Sequence, residues 1–247
     1  MPREISIFIP SYNAAATIGN VIERVPLHLW QSIKCVYLIN DGSSDRTGSV
    51  LDAIAGANAQ CRAVHHGCNR GYGATVKRGL ALCRDDGCRF AACLHADGQY
   101  PPESIGPFVE KMRTERIELL QGSRVASGTA LSGGMPLYKY IAGRVLTALE
   151  NRVFGLSMTD YHSGFLVYGR KVLDTVPFDR LSGSFDFDLE VIAAVRSMGM
   201  SVGELPIPTR YAGEKSYLNP FTYGLRVLRV VARFASGKYR VSAEYGV

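Results

Sequence analysis

Short apolar runs alternate along this chain with longer amphipathic stretches. The apolar runs are four to six residues long and most end beside Gly, Pro or polar residues, which is typical of buried β-strands. The runs predict strands over six segments: Ile5–Ile9, Cys35–Asn40, Arg62–His65, Phe90–Leu94, Ile117–Gln121 and Phe165–Tyr168.

The amphipathic stretches have the apolar spacing of helices. They predict helices over Ala15–Val25, Asp45–Ala57, Ala74–Cys83, Pro102–Thr114, Leu137–Phe154 and Phe187–Ser197. Strands and helices that alternate in this way form βαβ units. We therefore expect an α/β fold whose mostly parallel central sheet is covered by helices on both faces.

Polar segments follow the first four predicted strands. In such a sheet ligands bind beyond the carboxyl ends of the strands, so we expect these segments to meet at one edge. They are Pro10–Asn13, Asp41–Asp45, Asn69–Gly73 and His95–Gln99.

The segment His95–Gln99 carries the most informative chemistry. It offers an imidazole at His95, a carboxylate at Asp97 and an amide oxygen at Gln99, at alternate positions. Such groups bind divalent cations, which in turn hold phosphate oxygens.

The segment Asp41–Asp45 ends a strand and opens a helix. A turn with a helix N-cap explains Ser44 or Asp45 but leaves Asp41 at the strand tip without a role. A carboxylate there can accept hydrogen bonds from a base or a ribose. Gly73 precedes the next helix, where glycine lets the backbone approach a ligand and the helix N-terminus favours anions.

Composition narrows the class of protein. The chain has 247 residues and a net charge of +6, from 28 basic and 22 acidic residues, which suits phosphorylated small molecules or anionic lipids. Basic and aromatic residues are not interleaved as in nucleic-acid modules, so we expect no nucleic-acid partner. The first strand lacks a following G-x-G-x-x-G and no G-x-x-x-x-G-K-[ST] occurs, which argues against nicotinamide enzymes and P-loop NTPases.

The six cysteines lack C-x-x-C spacing, so we expect reduced thiols in a cytoplasmic protein. A strand begins close to the N-terminus, and we expect no signal peptide. No uncharged apolar run reaches the ~18 residues of a membrane span. The sequence leaves the oligomeric state open.

Eight short motifs occur in an order that resembles family-2 glycosyltransferases, and within them the dolichyl-phosphate mannose synthase and polyprenyl-phosphate glycosyltransferase branch. The resemblance covers nearly the whole chain. The motifs are Ile9–Asn13, Asn40–Asp45, Asn69–Ala74, Ala96–Gln99, Gly122–Arg124, Met135–Lys139, Asp160–Phe165 and Pro206–Tyr211.

The resemblance implies a GT-A fold over residues 1–218, with a nucleotide-binding half of about 1–125 and an acceptor half of about 126–218. It implies an inverting transfer from a GDP- or UDP-sugar to an acceptor, with polyprenyl or dolichyl phosphate as the expected acceptor. The implied cofactor is Mn²⁺ or Mg²⁺, which would neutralise the leaving diphosphate. The residues implied to bind the nucleotide-sugar are Pro10, Tyr12, Asn13, Asp41, Gly73, Asp97 and Lys139.

His95 departs from the family pattern, which is D-x-D where this chain reads His95-Ala96-Asp97. Three interpretations remain open: His95 ligates a metal with Asp97 and Gln99, it hydrogen-bonds the diphosphate, or metal binding is weakened. Imidazole suits Mn²⁺ better than Mg²⁺. The alternative is that His95 has only a structural role after the strand and contacts neither metal nor diphosphate.

Three further residues are candidates for catalysis. The resemblance favours Arg124 as a phosphate clamp, where the alternative is a surface arginine. Asp160 is the candidate for a base or an acceptor-orienting carboxylate. On a helix, Asp186 and Glu190 would share one face, with Asp188 turned away. Glu190 is the stronger site candidate of the two. The alternative is that these acids only stabilise the helix, because negative charge at a helix N-terminus interacts favourably with the helix dipole.

Residues 219–247 are expected to form a C-terminal helix and tail, separate from the catalytic domain. Its apolar stripe consists of Phe221, Leu225, Leu228 and Ala232, beside a strip of Arg226, Arg229 and Arg233. Two interpretations are open: a packed terminal helix with a solvated basic edge, or a helix that docks peripherally on an anionic membrane surface.

Two other functions remain as alternatives. A glycosyltransferase could use a soluble hydroxyl acceptor, which the missing membrane spans favour. A non-catalytic nucleotide-sugar-binding protein with a degenerate D-x-D motif would explain His95.

Overall fold

One seven-stranded sheet runs through the described part of the chain, which in this computed structural model is residues 2–208 and 220–240. The strand order is β3-β2-β1-β4-β6-β5-β7. The strands are β1 Ile5–Ser11, β2 Ile33–Asn40, β3 Cys61–His65, β4 Phe90–Cys93, β5 Leu119–Ser123, β6 Leu166–Gly169 and β7 Val202–Pro206.

Helices connect the strands, as the alternating pattern predicts. They are α1 Ile18–Glu23, α2 Leu27–Trp30, α3 Thr47–Ala57, α4 Tyr72–Asp85, α5 Ile105–Glu115, α6 Leu137–Phe154, α7 Arg170–Thr175, α8 Phe187–Ser197 and α9 Pro220–Ala235. Each of the six helices predicted between the strands has a counterpart. The first is shorter than its predicted span, and the predicted Pro102–Thr114 divides into a 3₁₀ turn, Pro102–Ser104, and α5.

The sheet is mostly parallel, as expected, and it has one reversal. Strands β3, β2, β1 and β4 pair in parallel. Strand β6 is antiparallel to both of its neighbours, β4 and β5, and β7 pairs in parallel with β5. Because β6 and β7 come from the second half of the chain, both halves build a single sheet.

The apolar core lies on both faces of this sheet. Alternate residues of β1 point to opposite faces, so that Phe8 packs in one cluster and Ile7 and Ile9 in the other. Helix α4 approaches the first face closely, since a Cβ on Gly79 would lie 2.4 Å from Phe8 Cδ2. Five of the six cysteines are buried and all six are free thiols.

Among its described side chains, helix α9 packs through residues other than those of the predicted stripe. Its buried side chains include Val227, Val230 and Val231, whereas Leu225 and Leu228 are exposed. The valines recur at spacings of three and one, so the sequence of α9 contains two apolar stripes, one with the leucines and one of valines. The valine stripe is the one that packs in the core. The basic strip is solvent-exposed at Arg226 and Arg229; in addition, Arg226 pairs with Asp186, directly before α8, and Arg233 pairs with Glu190 on α8.

Some predicted features fall outside the described residues. The motif Pro206–Tyr211 is described only as far as Pro208, and Asn219, the side chain of Phe221 and the tail 241–247 are also outside. Among the helices of the described residues, none is both long and apolar enough to cross a membrane.

Candidate active site

The polar segments after β1 to β4 meet at the carboxyl edge of the sheet, as predicted. Asn13 joins the first two: its Oδ1 accepts a hydrogen bond from Ser44 N at 2.9 Å, and its own N–H donates to Ser43 Oγ at 3.0 Å. Asn13 has a left-handed backbone with φ +49°, which asparagine tolerates better than most residues. Pro10 is the penultimate residue of β1, and Tyr12 is exposed directly after the strand. Their contact with a nucleoside stays a prediction.

Asp41 organises the loop that follows β3. Its carboxylate is buried and accepts hydrogen bonds from the backbone N–H groups of Arg70 and Gly71, both at 2.9 Å. It also pairs with His66 Nδ1 at 2.9 Å. These three partners fix the loop against the end of β2. A contact from Asp41 to a base or ribose stays a prediction.

Gly73 is required by close packing. A Cβ at this position would lie 2.5 Å from the carbonyl carbon of Gly183, in the loop before α8. Backbone atoms cannot yield as a flexible side chain can, so only glycine fits. A nucleotide contact at Gly73 stays a prediction.

His95 lies in an aromatic cage. Its ring meets Tyr100 edge to face, with centroids 4.8 Å apart, and Tyr72 with centroids 5.5 Å apart. The backbone of Gly164 forms another wall, where a Cβ would lie 2.6 Å from His95 Cε1. Burial lowers the pKa of His95, although the Asp97 carboxylate opposes this. The imidazole is therefore neutral near pH 7.

The buried Asp188 carboxylate contacts the aromatic cage through Tyr72. Tyr72 O–H donates to Asp188 Oδ2 at 2.7 Å, and the Tyr72 oxygen lies 3.3 Å from His95 Nε2. Since the Tyr72 proton is directed to Asp188, its oxygen can accept from His95 Nε2–H. This assigns the tautomer that keeps its lone pair on Nδ1. Burial raises the pKa of Asp188 to about 7.

Sequence reasoning did not select Tyr72 or Asp188. It did expect Asp188 to turn away from Asp186 and Glu190, and the structure bears this out: the latter two contact Ser182 and α9. The different direction of the Asp188 carboxylate could have marked it as a site residue. Its partner Tyr72, however, is 116 residues away in sequence.

Asp97 and His95 form a donor set that fits a divalent cation. Asp97 is partly exposed at the sheet edge, and its Oδ1 accepts from Gln99 N at 3.0 Å. One carboxylate and one neutral imidazole suit Mn²⁺, with diphosphate oxygens as the remaining ligands. Within the described residues no group of three or more His, Cys, Asp and Glu side chains could hold a metal by itself. Ligation by His95, Asp97 or Gln99 stays a prediction.

Arg124 and Asp160, both selected from the sequence, form an ion pair. Arg124 Nε donates to Asp160 Oδ2 at 3.0 Å, and its Nη2 donates to His162 O at 2.8 Å. Burial alone would raise the pKa of Asp160, but Arg124 and hydrogen bonds hold it below its ordinary value. Asp160 is therefore ionised and fixes the guanidinium, which is an arrangement suited to binding phosphate.

His162 and Glu150 form a second buried pair beneath this ion pair. His162 Nε2 lies 3.5 Å from Glu150 Oε2, and His162 Nδ1 lies 3.1 Å from Tyr223 OH of α9. Burial raises the pKa of Glu150 to about 8, and burial lowers the pKa of His162 to about 4. Both shifts favour the neutral forms, so we describe the pair as a carboxylic acid that faces a neutral imidazole.

Glu150→Gln is expected to flatten the dependence of stability on pH. The folded pKa of about 8 lies above the unfolded value of about 4.3, so the folded state holds an extra proton that it loses as pH rises. Between about pH 7 and 9 the wild-type unfolding free energy should fall by about 1.4 kcal/mol more than that of the variant. Urea unfolding at both pH values measures this difference. Exposed Glu23→Gln is the control, and equal falls for wild type and Glu150→Gln would contradict the assignment.

The remaining two candidates lie elsewhere. Lys139 is in the first turn of α6, half-buried. Glu190 is buried between α8 and the C-terminal region, where it accepts from Ser182 N, Arg233 and Tyr239 OH. These contacts give Glu190 a structural task, and its catalytic role stays a prediction.

Comparison with known proteins identifies the family and the fold of this chain. The profile of the family Glycosyl transferase family 2 matches residues 6–176. The chain is 24% identical over 219 residues to a UDP-N-acetylglucosamine–dolichyl-phosphate N-acetylglucosaminyltransferase of Methanococcus voltae, covering 84% of this chain and 86% of the relative. It is also 24% identical over 234 residues to the dolichol-phosphate mannosyltransferase of Saccharomyces cerevisiae, covering 92% and 79%.

Solved structures share the fold. Glucosyl-3-phosphoglycerate synthase from Mycobacterium tuberculosis, in complex with Mn²⁺, uridine diphosphate and phosphoglyceric acid, superimposes with a TM-score of 0.67 at 18% identity. The match covers 99% of this chain and 82% of that chain. The fold is thus GT-A, and because the family profile spans more than half of the sequence, the chain belongs to glycosyl transferase family 2.

Proposed function

We propose that this protein transfers a sugar from a GDP- or UDP-sugar to a polyprenyl or dolichyl phosphate, with inversion at the anomeric carbon. One observation carries the proposal: the segment from Asp160 to Gly164 fixes the Arg124 guanidinium at 3.0 and 2.8 Å and packs directly against His95. A fixed positive charge and the His95–Asp97 pair of candidate ligands are thus held by one segment at the ligand-binding edge of the sheet. That combination suits a diphosphate leaving group.

Asp97, with His95 and Gln99, would hold the divalent cation. When bound, the cation would neutralise charge that develops on the leaving nucleoside diphosphate. Arg124 would contribute a second, permanent positive charge, and Asp160 keeps its guanidinium in place. Lys139 would add positive charge next to the phosphates of the nucleotide-sugar.

The state of Asp160 favours a phosphate acceptor over a hydroxyl. A hydroxyl needs a general base near the site, whereas a phosphate monoester is already ionised near pH 7. Asp160 is engaged by Arg124 and by His162 N at 2.8 Å, and its lowered pKa makes it a weak base. The names of the relatives point to the same acceptor class, since several act on dolichyl or polyprenyl phosphates.

The test is turnover with each donor, metal and acceptor. The protein is incubated with GDP- and UDP-sugars, with Mn²⁺ or Mg²⁺, and with either polyprenyl phosphate or phosphoglyceric acid. We expect product in the organic phase and an inverted anomeric configuration by NMR. Product from phosphoglyceric acid alone would replace the lipid acceptor by a soluble one. Donor binding in a thermal-shift assay without turnover under either metal would support a binding protein instead.

His95→Asp tests the departure from the D-x-D pattern. If His95 ligates the cation, an all-oxygen donor set should shift the thermal stabilisation by nucleoside diphosphate from Mn²⁺ towards Mg²⁺. The readout is the Tm increase with each metal, which does not depend on turnover. An unchanged metal preference would exclude His95 as a ligand.

A further inference from the structure

Asp188 is a buried carboxylate that contributes little to the stability of the fold. It lies in the first turn of α8 and is 8% exposed. Within the described residues its Oδ1 has no hydrogen-bond partner, whereas Asp186 and Glu190 beside it are paired with arginines of α9. A buried carboxylate that lacks such compensation costs stability, so Asp188 is better explained by a role in the candidate site.

The hydrogen bond that Asp188 does make leads to His95. Tyr72 O–H donates to Asp188 Oδ2 at 2.7 Å, a distance typical of a hydroxyl that donates to a carboxylate. The distance from the Tyr72 oxygen to His95 Nε2 is longer, 3.3 Å. A hydroxyl has a single proton, so that proton belongs to the shorter contact and the oxygen accepts from His95 Nε2–H.

Tyr72 is held firmly between these two partners. It is the first residue of α4, and the ring of Phe185 stacks on its ring with centroids 5.6 Å apart and an angle of 16° between the planes. The next residue, Gly73, packs against the backbone of the loop before α8. Neither the ring nor the backbone of Tyr72 can therefore shift freely, and the hydroxyl oxygen has a fixed position relative to His95.

We propose that Tyr72 and Asp188 are positioning residues that keep the His95 proton on Nε2, so that Nδ1 offers its lone pair to a divalent cation. The inference rests on the proposed function, in which His95 and Asp97 ligate that cation. A histidine ligand needs a fixed partner for its other ring nitrogen, because that contact sets the tautomer and the direction of the ring. The contact makes an imidazole competent at the position where the family pattern has a carboxylate.

The first test is the tautomer itself, measured on the full chain without metal. Long-range ¹⁵N–¹H correlation NMR of protein labelled with ¹⁵N-histidine distinguishes a protonated from an unprotonated ring nitrogen. His95→Asn identifies the signals of His95 among those of the five histidines. We expect Nε2 to carry the proton in wild type. A proton on Nδ1 in wild type would overturn the proposal.

Asp188→Leu is expected to reverse the tautomer. Leucine cannot accept the Tyr72 proton, so the hydroxyl turns to donate to His95 Nε2 and the imidazole proton moves to Nδ1. Asp188→Asn is the conservative rescue, because its amide oxygen still accepts from Tyr72. The double variant Tyr72→Phe with Asp188→Leu should give the spectrum of Tyr72→Phe alone. If Asp188→Leu left the tautomer unchanged, Asp188 would not act through Tyr72 and the proposal would be overturned.

The second test is binding of Mn²⁺ in the presence of GDP or UDP, measured from the EPR signal of free Mn²⁺. Tyr72→Phe and Asp188→Leu are expected to raise the Kd of Mn²⁺ by about tenfold or more, and Asp188→Asn by about threefold or less. Tyr37→Phe is the matched control, because buried Tyr37 also donates to a carboxylate, Asp86 Oδ2 at 3.0 Å, at the other end of α4. An equal Kd for wild type, Tyr72→Phe and Asp188→Leu would overturn the proposal.

The thermal stability of Asp188→Leu separates positioning from packing. Because the variant removes a buried oxygen that lacks a partner among the described residues, its Tm should be unchanged or higher although Mn²⁺ binding is weaker. A lower Tm with an unchanged Kd would make Asp188 a structural residue and overturn the proposal.

Neither test uses sugar transfer, so the inference and the proposed function can fail separately. Variants that respond as expected, in a protein that transfers no sugar to any acceptor, would overturn the proposed function alone. Transfer by wild type, together with a Kd of Mn²⁺ that no variant changes, would overturn the inference alone.

Discussion

Asp97→Asn is expected to lower the rate of sugar transfer by about 100- to 1,000-fold. The substitution keeps the size of the side chain and leaves an oxygen to accept the hydrogen bond from Gln99 N. It removes the negative charge that would hold the cation at the diphosphate. The effect should therefore appear in activity and leave the stability of the fold nearly unchanged.

Two measurements define this result. The first is kcat/KM with donor, metal and polyprenyl phosphate, and the second is the Tm increase that nucleoside diphosphate produces only with metal. The control is Asp85→Asn, an exposed carboxylate at the end of α4. Retention of a tenth or more of the activity corresponds to a loss of transition-state stabilisation of about RT ln 10 or less. If Asp97→Asn retained that much activity and also the metal-dependent stabilisation, Asp97 would not be at the metal.

Gly164→Ala is expected to lower the unfolding free energy by about 2–3 kcal/mol and to disturb the site. The added Cβ would lie 2.6 Å from His95 Cε1 and 2.7 Å from its Nε2. His95 has little room to retreat, because Tyr72 and Tyr100 pack against its ring. Gly164 N also donates to Tyr100 OH at 2.9 Å, which resists a shift of the backbone.

A double-mutant cycle with His95→Ala tests the cause. If the clash with the ring is the source of the loss, Gly164→Ala should cost much less in the His95→Ala background than in wild type, by about 1 kcal/mol or more. Urea unfolding measures all four proteins. Gly56→Ala is the control, because its Cβ would meet no atom within 4 Å on the exposed side of α3. Strictly additive losses would place the strain elsewhere.

The sequence predicts the sheet well where strands are buried. The alternation of apolar runs with amphipathic stretches predicted strands β1 to β6. The polar residues after the first four strands predicted the edge of the sheet at which Asn13, Asp41 and His95 are found. Strand β7 was missed because Val-Gly-Glu-Leu-Pro is an edge strand with partly exposed residues, so it lacks the apolar run that marks a buried strand.

The candidate site could be predicted less completely. Residue types and their order in the motifs indicated Arg124 and Asp160 as site residues. The sequence does not show that the Asp160 carboxylate is engaged in an ion pair with Arg124. Glu190 had the same appearance from the sequence, and its partners in α9 and beyond are 43 and 49 residues away. Asp188 and the His162–Glu150 pair depend on contacts between distant segments, which periodicity does not contain.

The position of β6 has a consequence for synthesis of the chain. Strand β6 lies between β4 and β5, so β5 lacks its neighbour on that side until Gly169 has left the ribosome. A nascent chain that stops earlier exposes the unpaired edges of two buried strands, which favours association with other chains. Chaperone demand should therefore be concentrated in the interval of translation between β5 and β6.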